Sequence, residues 1–231
     1  MGLWGFSIPL FLLLWYYPVI DYRVRVMTFC VGLWVVAGSV LVTWKTKGIR
    51  WFLITIYGLV AVFLLLPSTI PENRENLRTN YCSALESYTG RPYVWGGEGY
   101  FGIDCSGFVR KGFEDALVKQ GFLHFDPAMV RSGIWLYWHD TTAKVIGEAY
   151  GGRTYPVTTC SSLNALDYSL VLPGDLAVTE DGTHIMAYLG DQTWIAADPF
   201  EEKVTEFKIP EKKNVYFSTP MKIMRWTLLK P

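Results

Sequence analysis

The chain is short of the residues from which metal centres and disulfide frameworks are built, with four cysteines and three histidines in 231 residues. Four scattered thiols make no disulfide framework and fit no paired metal spacing, so no metal and no cofactor is expected. Each cysteine must be judged by its surroundings. No basic stripe marks a nucleic-acid surface, and acidic and basic residues balance at 21 each. Internal repeats and low-complexity tracts are absent as well.

Charge is missing altogether from three early runs: Gly2–Ile20, Val26–Trp44 and Trp51–Pro67. Each is close to the roughly 20 residues that cross a bilayer core of about 30 Å. Trp and Tyr gather near their ends, as interfacial anchors do. Three buried helices of a soluble protein would be the bland alternative, but such runs are costly to hide three times in so short a chain. The first run has neither the basic flank nor the small-x-small cleavage site of a signal peptide, so it is expected to stay. The expectation is therefore a multi-pass membrane region, residues 1–70, with spans at about 3–20, 26–44 and 51–67. Lys45, Lys47 and Arg50 lie on one side, and Arg23, Arg25, Arg74 and Arg78 on the other. Charge alone leaves the orientation close to a tie.

A polar, proline-containing stretch at 67–76 reads as a linker to a second domain, residues 71–231, which carries 16 basic and 20 acidic side chains. "ENRENLRTNYCSALESYTG" has helical spacing and a Gly90 stop. "PYVWGGEGYFGID" holds four glycines and suits a tight loop. From Cys105, "CSGFVRKGFEDALVKQGF" resumes helical spacing, and a second helical stretch rich in aromatics covers about 124–152. Short β-rich runs then follow, "GDLAVTE", "THIMAYLGD", "TWIAAD", "KVTEFKI" and "MKIMRWTLL". Helices first and an antiparallel sheet after them predict an α+β fold.

Cys105 is placed at a helix N-terminus, where unpaired amides favour a thiolate and can hold an oxyanion. Such a thiol needs a base. His124 lies in a loop and His139 in an aromatic helix, both suited to surface or packing roles. His184 opens a strand after an Asp181-Gly182 turn, where a rigid element holds it at the rim of the sheet. Spacing alone leaves a Cys105–His184 pair as one option among accidental placements.

"YVWGGEGYFGIDCSGFV", "LPGDLAV" and "GTHIMAYLGDQTWIAAD", in this order, resemble the NlpC/P60 family of papain-like cysteine peptidases over roughly residues 75–230. The resemblance implies Cys105 as nucleophile, His184 as base, and Tyr93 as a hydroxyl at the oxyanion site. It implies Asp104 and Ser106 as contacts to the free amine end of a peptide, and Asp175 as a structural turn acid. The family's third catalytic position falls on Ala196, which cannot orient an imidazole. Asp198, two residues on and on the same face of the strand, is the candidate in its place, with a strand-end turn role as the alternative. The separation of Cys105 from His184 is longer than usual in the family, which suggests an insertion at about 124–152 that caps the cleft or packs against the membrane.

The expected function is thus a membrane-anchored cysteine peptidase acting on peptidoglycan stem peptides, with its C-terminal domain outside the cell. Peptidoglycan stem peptides and membrane lipids are the expected partners, and no nucleic acid. A catalytically weak scaffold of the same fold, or an amidase or acyltransferase on another substrate, are the alternatives. Cys30 lies in a span. Cys82 and Cys160 could pair, although two separate buried cysteines are the simpler expectation.

Overall fold

The uncharged runs fold as three helices, α1 (Gly2–Trp15), α2 (Tyr22–Val42) and α3 (Lys47–Leu65), in a computed structural model that describes residues 2–67 and 74–231. α2 and α3 are long and apolar enough to cross a membrane. At 1.5 Å per residue they reach about 30 Å. Neither is a core helix, because Leu33, Trp34, Leu41, Phe52, Leu59 and Leu65 are all exposed.

The expected first span is corrected. α1 has 14 residues, about 21 Å of helix, and ends at Trp15 instead of Ile20. Pro18 supplies the reason, since it lacks an N–H and disfavours helical geometry at Tyr17. The chain beyond Trp15 runs beside the glycine-rich loop of the second domain: Val19 bridges to Gly97, and the Glu98 amide donates to Pro18 O at 2.9 Å. Among the described residues, two helices of spanning length stand where three were expected. Most of the expected linker, residues 68–73, lies outside the described residues.

The second domain opens with α4 (Arg74–Glu86), a short hairpin of β1 (Glu98–Gly99) and β2 (Gly102–Ile103), and α5 (Cys105–Leu123). α6 (Pro127–Trp138) and α7 (Ala143–Gly147) follow, then β3 (Thr154–Cys160), β4 (Leu176–Thr179), β5 (Ile185–Gly190), β6 (Thr193–Asp198), β7 (Lys203–Lys208) and β8 (Met221–Trp226). The last six strands form one antiparallel sheet in the order β3-β8-β4-β5-β6-β7, so the architecture is α+β. Alternate residues of each strand point to opposite faces. Ile185, Ala187, Ile195 and Ala197 meet Phe108 and Leu117 of α5 and Leu85 of α4. Met186, Tyr188, Trp194 and Ala196 meet Leu163 and Phe217 on the other face.

Two features escaped sequence reasoning. β3 lies directly after the second helical stretch; Gly151 and Gly152, both at positive φ, mark the turn before it, but Pro156 interrupts its strand pattern, and the register shifts there. The C-terminal β8 is interior to the sheet, between β3 and β4, a placement that strand periodicity cannot reveal. Asp175 has the structural role expected of it and a partner that was not: its carboxylate accepts from Leu172 N at 2.8 Å and from Arg225 at 2.5 and 2.7 Å. Asp175 and Arg225 are both buried.

The 124–152 stretch packs against the N-terminal helices. Phe29 of α2 meets Trp138 edge-on at 5.7 Å, Phe63 of α3 meets Phe125 edge-on at 5.2 Å, and Arg131 donates to Leu64 O and Leu66 O at 2.8 and 2.9 Å. The aromatic face of α6 finds its apolar partner there.

Candidate functional site

The site starts from a helix cap. Asp104, in extended conformation, precedes α5 and accepts from Gly107 N at 2.6 Å and from Ser106 Oγ at 3.0 Å through Oδ1. Its Oδ2 accepts from Gly96 N at 2.9 Å. A capping carboxylate of this kind satisfies amides that the helix start leaves open. Asp104 and Ser106, expected at a peptide amine, are thus engaged with the cap. Cys105 becomes the first helical residue.

Cys105 is 6% exposed, and the backbone amides of Ile185, Ser106 and Cys105 itself bear on its thiol and pull its pKa down. These amides favour a thiolate, as the sequence suggests. Burial outweighs them: it pushes the thiol up to about 12, and the neighbouring Asp104 carboxylate adds to the rise. The expected acid shift is corrected on this point, because the partial charge of a helix start is a smaller effect than removal of water from a sulfur anion.

His184 stands immediately before β5. Its amide donates to Thr179 Oγ1 at 3.0 Å, and its carbonyl accepts from Thr179 N at 3.1 Å, so β4 pins the backbone. The ring is 1% exposed and stacks on Tyr216 at 4.0 Å with 13° between planes. Nε2 lies 4.0 Å from Asp198 Oδ2 and has no hydrogen-bond partner among the described residues. Burial holds the imidazole down at about 4, with Asp198 pulling the other way. The ring is neutral at physiological pH.

Asp198 closes β6 and is fully buried. Oδ1 accepts from Phe200 N at 2.7 Å and Glu201 N at 3.0 Å, which is the turn role. Oδ2 faces His184 and accepts from Asn214 Nδ2 at 2.7 Å. Oδ1 thus carries the turn role, while Oδ2 stands 4.0 Å from the His184 ring with no hydrogen bond to it; Ala196 is buried in the apolar face beneath.

Two tyrosines flank the sulfur. The Tyr93 amide donates to Glu202 O at 2.8 Å; its phenol is pushed up by burial and then by Cys105 and Asp104. Tyr216 is raised by burial, then by Asp198 and Cys105. Tyr93 and Tyr216 each feel both Cys105 and Asp198, Asp198 faces His184, and Asn214 joins at Asp198. Asn214 caps a short 3-10 helix, Val215–Ser218, that carries Tyr216, too short for periodicity to single out any residue.

The other candidates stand apart. His124 and His139 end α5 and α6, and His139 stacks on Trp135 at 3.9 Å. Cys82 and Cys160 remain thiols, and Cys30 is exposed on α2. A thiol, a neutral imidazole, a carboxylate behind it and amides at a helix start are the parts of nucleophilic acyl transfer assisted by a general base.

A family profile described as the NlpC/P60 family matches residues 90–122, the stretch holding the glycine-rich loop, the cap, Cys105 and most of α5. No curated protein matches the chain. Among solved structures, it is similar to NlpC1 of Trichomonas vaginalis at 16% identity, covering 68% of this chain and 46% of that one, with a TM-score of 0.42. An NlpC/P60 family protein of Bacillus cereus shows 18% identity over 69% and 41% of the two chains, TM-score 0.42. The peptidoglycan hydrolase RipB of Mycobacterium tuberculosis shows 20% identity over 82% and 84%, TM-score 0.42. The match thus spans half or less of the first of these structures.

Proposed function

We propose that the chain is an NlpC/P60-type cysteine peptidase, held in a membrane by α2 and α3, that hydrolyses an amide bond of peptidoglycan stem peptides. The observation that carries this reading is the meeting at the head of α5 of the Cys105 sulfur with the Ile185 amide, adjacent in sequence to His184, which Asp198 backs.

Sulfur attacks the carbonyl carbon of the scissile amide as its proton passes to the neutral His184 ring. The oxyanion is held by the Cys105 amide and the Tyr93 hydroxyl. The imidazolium then protonates the leaving amine, and the amide C–N bond breaks. A water, giving its proton to His184, attacks the thioester to release the acid and restore the thiol. Asp198 stabilises the imidazolium of both steps by its charge. Because thiol and imidazole start neutral, the proton moves during attack instead of from a standing ion pair.

The exposed apolar faces of α2 and α3 support anchoring. Orientation is supported by Lys45 and Lys47, exposed at the α2–α3 turn, while Arg25 at the opposite end is buried against Glu98. Counted this way, the turn faces the cytoplasm and the second domain faces out.

A scaffold without turnover is the second reading. It is favoured by the 4.0 Å gap at His184 and the raised thiol. The deciding experiment incubates the full chain in detergent with defined peptidoglycan fragments and identifies products by mass spectrometry. A new amine and carboxylate, lost in Cys105→Ala, support the peptidase. No product from a folded chain supports the scaffold.

A further inference from the structure

The N-terminal helices reach Cys105 through a buried chain of contacts. Arg25, in the first turn of α2, is 1% exposed, and its Nη2 donates to Glu98 Oε2 at 2.5 Å. Arg110, on α5, donates to Glu98 Oε1 at 2.6 Å, to Leu136 O at 3.0 Å and to Asp140. Asp140 Oδ2 lies 3.8 Å from Arg25. Two cations and two anions balance.

Glu98 belongs to the loop that builds the cap. Its amide donates to Pro18 O and its neighbour Gly97 bridges to Val19. Gly97 O accepts from Asp104 N at 2.9 Å, and Gly96 N donates to Asp104 Oδ2. A Cβ at Gly107 would come within 2.4 Å of Gly97 O, so loop and helix start are in contact without slack. The path from Arg25 runs through Glu98, Gly97 and Asp104 to Cys105. It is a contiguous physical network.

This contact is separate from the rest of the docking. Phe63 with Phe122, and Arg131 with the Leu64 and Leu66 carbonyls, join the modules elsewhere, and an apolar cavity of about 860 Å³ opens between the N-terminal helices and α5 and α6. The interface is therefore a set of posts, and the one at Arg25 bears on the site.

We infer that Arg25 is a positioning residue for Cys105, and that residues 16–25 are a structural part of the active-site loop. The N-terminal region then acts as more than an anchor: the site is completed only when it is docked. This rests on the reading of Cys105 as the nucleophile. Removing Arg25 takes away the contact that ties the buried Glu98 side chain to α2, so the loop loses its hold on the N-terminal region and is expected to shift, with or without the Glu98 charge. A shift of about 1 Å at a reacting atom costs on the order of 10²-fold in rate.

The test uses the full chain in detergent and three variants: Arg25→Met, the double variant Arg25→Met with Glu98→Gln, and Arg131→Met as a contact distant from the loop. The double variant restores charge balance, since Arg110 then faces Asp140. It is expected to regain the unfolding midpoint of the parent, yet to keep kcat at least roughly tenfold down with KM little changed. Arg131→Met is expected to retain kcat. A double variant with parental kcat, or an Arg131→Met variant that loses as much, overturns the inference. If the parent chain shows no turnover at all, the peptidase reading fails separately. The rate of Cys105 alkylation by iodoacetamide, mapped by mass spectrometry, then decides: a clear difference between the double variant and the parent supports the coupling, and equal rates overturn it.

Discussion

His184 Nε2 and Asp198 Oδ2 face each other across 4.0 Å, and that same oxygen already accepts from Asn214 Nδ2 at 2.7 Å. Asp198 thus bears on the imidazole through charge, and Asn214 fixes where that charge stands. The arrangement differs from a triad with a hydrogen-bonded base, and it explains why one carboxylate can also tie the turn after β6.

Asp198→Asn removes the charge and sets two amide donors against each other at Asn214. Turnover is expected to fall by roughly 10²-fold or more, as for loss of the acid that orients a catalytic histidine. Asn214→Ala should give a smaller loss, because the charge survives. Steady-state kinetics of both variants, with thermal unfolding to confirm folding, checks the ranking.

The raised Cys105 thiol, pushed up to about 12 by burial, predicts slow alkylation at neutral pH. The rate should climb about tenfold per pH unit between pH 7 and 9, because only the thiolate reacts. A plateau near pH 7 would reveal a standing thiolate–imidazolium pair and contradict the neutral ground state described above.

His184 makes stability depend on pH. Its folded value of about 4 lies below the ordinary 6.5, so between these values the unfolded chain binds the extra proton more readily. Stability contributed by the neutral ring is complete above about 6.5 and declines as pH falls toward 4. Unfolding midpoints measured from pH 7.5 to 4.5 should drop less steeply in His184→Gln. Tyr216→Ala, which uncovers the ring, should raise the histidine's titration midpoint; an unchanged midpoint by NMR would show that the stacked phenol is not what shields it.

Asp175 and Arg225 anchor β8 beneath the turn before β4. Asp175→Ala strands a buried guanidinium and should cost about 3–5 kcal/mol, read as a shift in denaturant midpoint with the slope unchanged. A loss below about 1 kcal/mol would mean that the pair behaves as an exposed one.

The opposite placement of the α2–α3 turn and the second domain is open to a labelling test. A cysteine introduced at Lys45 in a Cys30→Ser background should resist a membrane-impermeant maleimide applied to intact cells, while an exposed second-domain position such as Lys212 should react.

Much was legible in the sequence because it depends on neighbours along the chain. Uncharged runs mark apolar helices, Asp104 before Cys105 marks a helix start, and alternation in "HIMAYLG" and "TWIAAD" marks strands with His184 and Asp198 at their ends. These properties need no partner from elsewhere. The end of α1 was also written locally, in Pro18, although the apolar run hid it.

The rest depended on elements far apart in the chain. The direction of the Cys105 shift comes from burial by β5 and the tyrosines at 93 and 216, not from the helix it begins. Asn214 reaches Asp198 from the cap of a short 3-10 helix, and Arg25 reaches Glu98 across 73 positions. Charge balance and exclusion of water are sums over everything packed around a group, so only the folded chain decides them.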